Sequence, residues 1–273
     1  MLHKLNSLQY AKLIDLADAH DCGSVYPLSV ASGIQEGDIF TNSAKDCGAV
    51  LFWTHCGFAY LSGEVDGDFL KDVYELMLDR AKTNTKRFLL MTRNQAIQAY
   101  FEQKEDVVIE KRYLFQYAGT KGYTESSLPD GYELKEIDDR LLKKISGNIV
   151  PSLFWNDVND FLEKGKGYCI TYGHDVASWA FSAAVSTREI DIGIETKPEY
   201  KQQGLGLVVA NRMIQYALEQ AKEPVWACHY QNIASERMAE KLGFIKVSEC
   251  SVIKRRSSVT ALGLGKTMER KLQ

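Results

Sequence analysis

The segment from Glu189 to Phe244 constrains this chain more than any other. Ile190, Ile192 and Ile194 alternate with polar residues at the two-residue period of a strand, and Pro198 ends the run. Lys201-Gln202-Gln203-Gly204-Leu205-Gly206 follows, and behind it Leu207, Ala210, Ile214, Ala217, Leu218 and Ala221 recur at helical spacing. Pro224 to His229 reads as a second strand. Asn232, Ser235 and the run Glu240-Lys-Leu-Gly243-Phe244 read as a short helix closed by a C′ glycine. A helix that starts in a glycine turn presents free backbone N–H groups and the positive end of its dipole. Glycine also lets an anion approach the backbone closely. The pattern therefore predicts a pocket for a diphosphate-bearing cofactor at this glycine-containing turn.

Two glycines at a strand-to-helix turn also occur without a ligand, so the rest of the pattern matters. Two other phosphate-binding patterns fail here. The loop lacks the Gly-Lys-Ser/Thr of a P-loop, and Val209 stands where the third glycine of Gly-x-Gly-x-x-Gly belongs.

Composition narrows the function class. A length of 273 residues suggests one or two domains, and 45% apolar with 25% charged residues is ordinary for a globular chain. A formal net charge of −3 argues against a nucleic-acid partner, which would require clustered cations. Lys254-Arg255-Arg256 is the one dense basic run and reads as a solvated strand end. The six cysteines show no Cys-x-x-Cys spacing and read as reduced thiols in a cytoplasmic protein, not as a disulfide frame or a metal site. Met1 to Tyr10 lacks the features of a signal peptide. No window approaches the ~18–20 apolar residues that cross a bilayer; the best, Val50 to Leu61, is short and holds His55. No membrane association is expected, and a homodimer stays open.

The chain reads as two units and a tail: residues 1–120, 130–256 and 257–273. The boundary falls in the turn-rich stretch from Ala118 to Gly131. In the first unit the patterns predict a helix over Leu5 to Ala17 and strands at Asp38 to Thr41, Gly48 to Thr54 and Phe58 to Glu64. A helix from Asp68 to Ala81, a strand from Arg87 to Thr92, a helix from Ala96 to Gln103 and a strand from Val107 to Gln116 complete it. Phe52, Trp53, Phe58 and Tyr60 either line a pocket or pack a core. In the second unit, Tyr132 to Ile137 reads as a strand, Leu141 to Ile145 and Leu153 to Leu162 as helices, and Tyr168 to Val185 as a hairpin. Ile245 to Ile253 supplies a last strand.

Phosphate loop, strand, Asn, helix and Gly-Phe in this order resemble the GCN5-related N-acetyltransferase (GNAT) superfamily, over roughly residues 130–253. The family loop reads Gln/Arg-x-x-Gly-x-Gly/Ala; Lys201 at its first position is a departure that keeps the cation. The resemblance implies an α+β, three-layer fold: a mixed, mostly antiparallel sheet flanked by helices. The smaller first unit is then either a degenerate copy of that fold or an unrelated α+β domain. Its turn Gly63-Glu-Val-Asp-Gly67 lacks both the cation and the Gly-x-Gly. The resemblance also implies acetyl-CoA as cofactor. Ile194, Glu195 and Thr196 would pair their backbone with its pantetheine arm. Gln203, Gly204, Leu205 and Gly206 would face the pyrophosphate, with Lys201 and Gln202 at the mouth. Asn232 would bond the arm and Ser235 would reach the cofactor, although both equally suit a helix cap.

Acetyl transfer to an amine needs a neutral nitrogen, hence a proton acceptor. Glu189, Asp191 and Glu195 alternate with the isoleucines and so share one strand face. Glu189 lies closest to the family's base position; Asp191 and His229 are the alternatives. Many family members carry a Tyr seven residues after the Asn as acid for the leaving thiolate. Here Ala239 takes that place, and Tyr230 is a substitute with nothing to show where it points. The reading is an N-acetyltransferase acting on a small-molecule or peptide primary amine by direct attack in a ternary complex. The alternative is a non-catalytic acyl-CoA sensor.

Overall fold

A computed structural model describes residues 1–43, 47–83, 87–119 and 127–256. The first half supplies β1 (His3–Lys4), α1 (Ile14–Asp18), α2 (Val25–Ala31), β2 (Gly37–Thr41), β3 (Ala49–Thr54), β4 (Phe58–Gly63), α3 (Gly67–Thr83), β5 (Leu89–Thr92), α4 (Gln95–Glu102) and β6 (Val107–Tyr117). The second supplies β7 (Tyr132–Glu136), α5 (Asp139–Leu142), α6 (Pro151–Phe154), α7 (Val158–Lys164), β8 (Gly167–Tyr172), β9 (Asp175–Val185), β10 (Glu189–Thr196), α8 (Leu205–Glu219), β11 (Glu223–His229), α9 (Ile233–Lys241) and β12 (Phe244–Arg255).

All of these strands join one sheet in the order β1-β2-β3-β4-β5-β12-β6-β11-β10-β9-β8-β7. The order reads the same from both edges once each strand is matched with its counterpart in the other half. The parallel pairs, β4 with β5 and β10 with β11, fall at matching places, and the remaining pairs are antiparallel. At the centre each half lends its last strand to the other. β12 lies between β5 and β6, and β6 lies between β12 and β11. The β6–β12 register runs from Tyr117↔Phe244 to Val107↔Arg255, the full length of both strands. The division at residues 118–131 is thus a boundary along the chain but not in the sheet. Residues 120–126 of it, and the tail 257–273, lie outside the described residues.

Helices cover both faces, as a sheet buried on each side demands. β3 is buried along its whole length. Its Leu51 and Trp53 pack with Phe69, Val73 and Met77 of α3, and its Val50 and Phe52 pack on the α2 side. α4 packs with α3, and α6 and α7 lie on the α2 side. On β10, Ile194 and Thr196 face α8 and α9, while Asp191, on the opposite face, meets Tyr26 of α2.

Several elements depart from the sequence expectations. The helix expected over Leu5 to Ala17 is a 3-10 turn, Ser7–Leu13, capped by Asn6, followed by the short α1. The helix expected over Leu153 to Leu162 is broken into α6 and α7. Trp155 adopts an extended backbone and donates its indole N–H to the Ser182 carbonyl, while Asp157 caps α7 through the Asp160 N–H. The element with the largest consequence, α2, was not expected. All seven of its residues are buried, so it shows no polar face and no helical period. Among the described residues no helix is long and apolar enough to cross a membrane.

Candidate active site

Gly204 opens α8 in the left-handed region, at φ 78°, and Gln202 just before it is also left-handed at φ 63°. That double turn aims successive N–H groups outward. Among the described residues, the N–H groups of Gln202 to Gly206 find no acceptor in the protein. The two glycines have different reasons. Gly204 serves the positive φ, with open space around it. Gly206 serves a close approach: a methyl there would lie 3.0 Å from Met238 Cε of α9 and 3.3 Å from Thr196 Oγ1 of β10. Lys201 and Gln202 are exposed beside the turn, and Gln203 accepts a hydrogen bond from the Tyr132 hydroxyl at 2.7 Å.

β10 and β11 pair only at Glu189↔Glu223, Ile190↔Pro224 and Asp191↔Val225. Beyond Asp191, β10 continues with β9 to Thr196 and β11 continues with β6 to His229. The two strands therefore splay, leaving one edge of Ile192 to Thr196 without a strand partner. Such an edge accepts an amide-bearing chain as an added strand. The open turn of α8 lies at the wide end of the splay, on the face shared with α9.

The narrow end opens on the opposite face. There Glu189, Asp191 and Glu195 point together, as the alternation requires, but they do different things. Glu195 accepts the N–H groups of Asn148 (2.8 Å) and Ile149 (2.7 Å) and ties down the segment before α6. Glu189 accepts the Ser24 hydroxyl at 2.6 Å, and Asp191 accepts the Tyr26 hydroxyl at 2.6 Å. Burial raises the pKa of Glu189; the Ser24 bond opposes this and the nearby Glu223 adds to it. Burial likewise raises that of Asp191, against the pull of the Tyr26 hydroxyl and the Arg112 charge. Tyr26 itself is held well above its ordinary value, first by burial and then by the Asp191 charge.

Both carboxylates line a cavity of about 280 Å³ on this face, between the two halves. Its floor is the exchanged centre of the sheet, including Arg112, Val225 and Cys250. Phe58 and Tyr60 of β4 form one wall and the Asp21-to-Tyr26 segment another. Phe58 and Tyr60 thus both pack and line a pocket, whereas Phe52 and Trp53 are core.

His229 does not line this cavity. Its Nε2 lies 3.2 Å from Glu110, which also pairs with Lys254, and its Nδ1 accepts the Gln231 N–H. Both ring nitrogens are committed to the protein. Asn232 caps α9 through Oδ1, accepting the Ser235 N–H, and its amide nitrogen remains to donate. Ser235 accepts the Trp226 indole N–H at 3.1 Å. Ala239 is fully buried, and the Tyr230 hydroxyl accepts from Gln231. The pattern-based reading missed Ser24, Tyr26 and Arg112. The first two lie on or beside a helix without a period, and Arg112 is one charged residue in a strand whose faces the sequence does not distinguish.

An open helix-start turn on one side of splayed parallel strands, with paired carboxylates on the other, defines a protein of the acetyltransferase class. The sequence model of the GNAT acetyltransferase family matches residues 24–253, and the chain belongs to that family. A curated relative from Bacillus subtilis (strain 168), the uncharacterized N-acetyltransferase YdfB, is 26% identical over 260 residues, covering 92% of this chain and 98% of the relative. Among solved structures, a GCN5-related N-acetyltransferase-like protein from Streptococcus suis 89/1591 superposes with a TM-score of 0.71 at 21% identity, over 92% of this chain and all of that one. A tandem GNAT protein from the clavulanic acid biosynthesis pathway superposes with a TM-score of 0.64 at 10% identity, over 93% of this chain and 98% of its own. These two likenesses are of fold. The acetyltransferases of this family take their acetyl group from acetyl-CoA, and the open turn and free strand edge suit its pyrophosphate and its amide-bearing arm.

Proposed function

We propose that the protein transfers the acetyl group of acetyl-CoA to a primary amine. One observation carries this reading: a single splay of β10 from β11 has the anion-seating turn at its wide end and the carboxylate-lined cavity at its apex, so a cofactor arm lying along the free edge runs from one to the other. Gln203 to Gly206 would hold the pyrophosphate with Lys201 at the mouth. The free edge of Ile192 to Thr196 and the Asn232 amide would hold the arm. Bound there, acetyl-CoA supplies an activated thioester carbonyl. The amine arrives through the cavity as an ammonium ion and must lose a proton before its nitrogen forms the new C–N bond as the C–S bond breaks. Asp191 is the last β10 residue paired with β11, so its carboxylate lies nearest the apex. We assign it the proton, with Glu189 two residues behind it on the same face. A carboxylate whose pKa is raised by burial is the better base for this step. Holding both reactants in one cleft supplies much of the rate. A thiol with a pKa of ~8.5 can leave without a dedicated acid, which suits the absence of a hydroxyl at Ala239.

The same buried Ala239 favours the second reading, a non-catalytic acyl-CoA sensor. Thermal stabilisation by acetyl-CoA, and not by ATP or NAD, tests the cofactor assignment. An amine panel followed by free-thiol release then separates enzyme from sensor, because a sensor binds the cofactor and releases no thiol.

The mirrored strand order also supports reading the first half as a degenerate copy of the second. In that reading α3 corresponds to α8, and its N-terminus is spoiled for an anion: the Asp66 carboxylate already accepts the Phe69 N–H at 2.7 Å. Failure of α3 and α4 to superpose on α8 and α9 would sink it.

A further inference from the structure

Arg112 stands out in the acceptor cavity. Asp21, Glu189, Asp191 and Glu223 line this cavity with acid, and Arg112 is its one cationic lining residue. Among the described residues its guanidinium makes one hydrogen bond, from Nη2 to the Ala227 carbonyl at 3.1 Å, and it rests 5.3 Å over the Phe58 ring. Among the described residues no carboxylate lies within ion-pair distance of it. A half-buried guanidinium with most of its five N–H groups unused is costly unless an anion joins it.

The position is set by the strand exchange. Arg112 belongs to β6, a strand of the first half seated between β11 and β12. It faces His229 on one side and Cys250 on the other. Phe58 also meets Tyr26 edge to face at a ring separation of 5.0 Å, and Tyr26 holds Asp191. An aromatic ledge therefore joins the acidic end of the cavity to its basic end. Across the sheet the two ends are two strands apart, and Arg112 lies four residues along β6 from Gln116, which is in line with Asp191 through Val225, so the ends are offset both across and along the sheet.

We infer that the acceptor is an amine bearing a carboxylate on the same molecule, with the ammonium group at Asp191 and Glu189 and the carboxylate held by Arg112. This rests on the acetyltransferase reading and names the substrate class for its cavity. A guanidinium fork matches a carboxylate in two parallel bonds. A phosphate ester would bring a second negative charge into a cavity with four carboxylates, which disfavours it. The ledge between the ends suits the methylenes of an ω-amino acid.

The test compares β-alanine, γ-aminobutyrate and ε-aminocaproate with alkylamines of the same carbon count, in the wild-type chain and in Arg112→Met and Arg112→Lys. The wild type is expected to prefer the amino acids, most strongly at one chain length. Arg112→Met is expected to raise their KM about 10- to 100-fold, the loss of a charged hydrogen-bonded pair, and to leave the KM of the alkylamines in place. Arg112→Lys keeps part of the preference, because charge survives and the fork does not. No preference in the wild type, or equal KM shifts in both series, overturns the inference. If no amine releases thiol, the acetyltransferase reading fails first. Calorimetry of the amino acids on the CoA-saturated chain then still decides: binding lost in Arg112→Met supports the carboxylate site, and binding unaltered overturns it.

Discussion

Tyr26 donates its hydroxyl to Oδ2 of Asp191 across 2.6 Å, although 165 residues separate them along the chain. The bond joins α2, from the first half, to the strand that opens the splay in the second. The site therefore depends on both halves.

Removing that donor tests the charge balance. In the folded chain Asp191 has a raised pKa, so it keeps its proton over a pH range in which the unfolded chain has lost it. Its contribution to stability is therefore lost as pH rises from the ordinary aspartate value through the folded one. Tyr26→Phe pushes the folded value further up. Unfolding of this variant is expected to show a loss of about 1–3 kcal/mol at pH 8 that shrinks toward acid pH. The acid limb of its kcat/KM profile moves to higher pH.

The two buried carboxylates are separable. Asp191→Asn is expected to lower kcat by ~100-fold or more, the usual scale for a lost general base, and Glu189→Gln by less. Acetyl-CoA binding stays intact in both. A larger loss in Glu189→Gln would move the proton acceptor to that residue.

Asn232 has two roles that one pair of variants separates. Asn232→Asp keeps the cap on the Ser235 N–H and loses the amide donor; Asn232→Ala loses both. Thermal melts should show a cost of about 1 kcal/mol only for Ala. Both should weaken acetyl-CoA in a titration, and unaltered affinity in Asn232→Asp would reduce the residue to a cap.

At the open turn, Gly204→Ala is expected to cost about 1–2 kcal/mol, because φ 78° crowds a Cβ. Gly206→Val fails differently. Its branched side chain meets Thr196 and Met238 and pushes α8 from β10, so acetyl-CoA binding measured by calorimetry falls while Gly204→Ala retains more of it.

Neither half is expected to fold alone. Residues 1–119 would leave β6 without the two strands that flank it, and residues 127–256 would leave β12 in the same state. Circular dichroism of each fragment should show no cooperative melt, and mixing them should restore one. An independent melt of either fragment would contradict the exchange.

The second unit was legible because its elements announce themselves locally. The isoleucine alternation of β10, the glycines of the turn and the period of α8 are short-range patterns with few structural alternatives. The shared face of Glu189, Asp191 and Glu195 followed from the two-residue period alone. Their separate tasks did not, since Ser24, Tyr26 and the 148–149 backbone come from remote places. His229, an alternative base in the sequence, has its ring nitrogens taken by Glu110 and Gln231, partners that no local pattern records.

Sequence alone determined the turn, the strands beside it and the family they point to, because backbone conformation there depends on neighbours a few residues away. Only the tertiary structure decided that the final strand of each half completes the other's sheet. It also decided that a fully buried helix would bring Tyr26 to Asp191 and that Arg112 would face the cavity. Those are long-range pairings, selected by burial and hydrogen bonding across the whole sheet, and a local pattern holds no record of its distant partner.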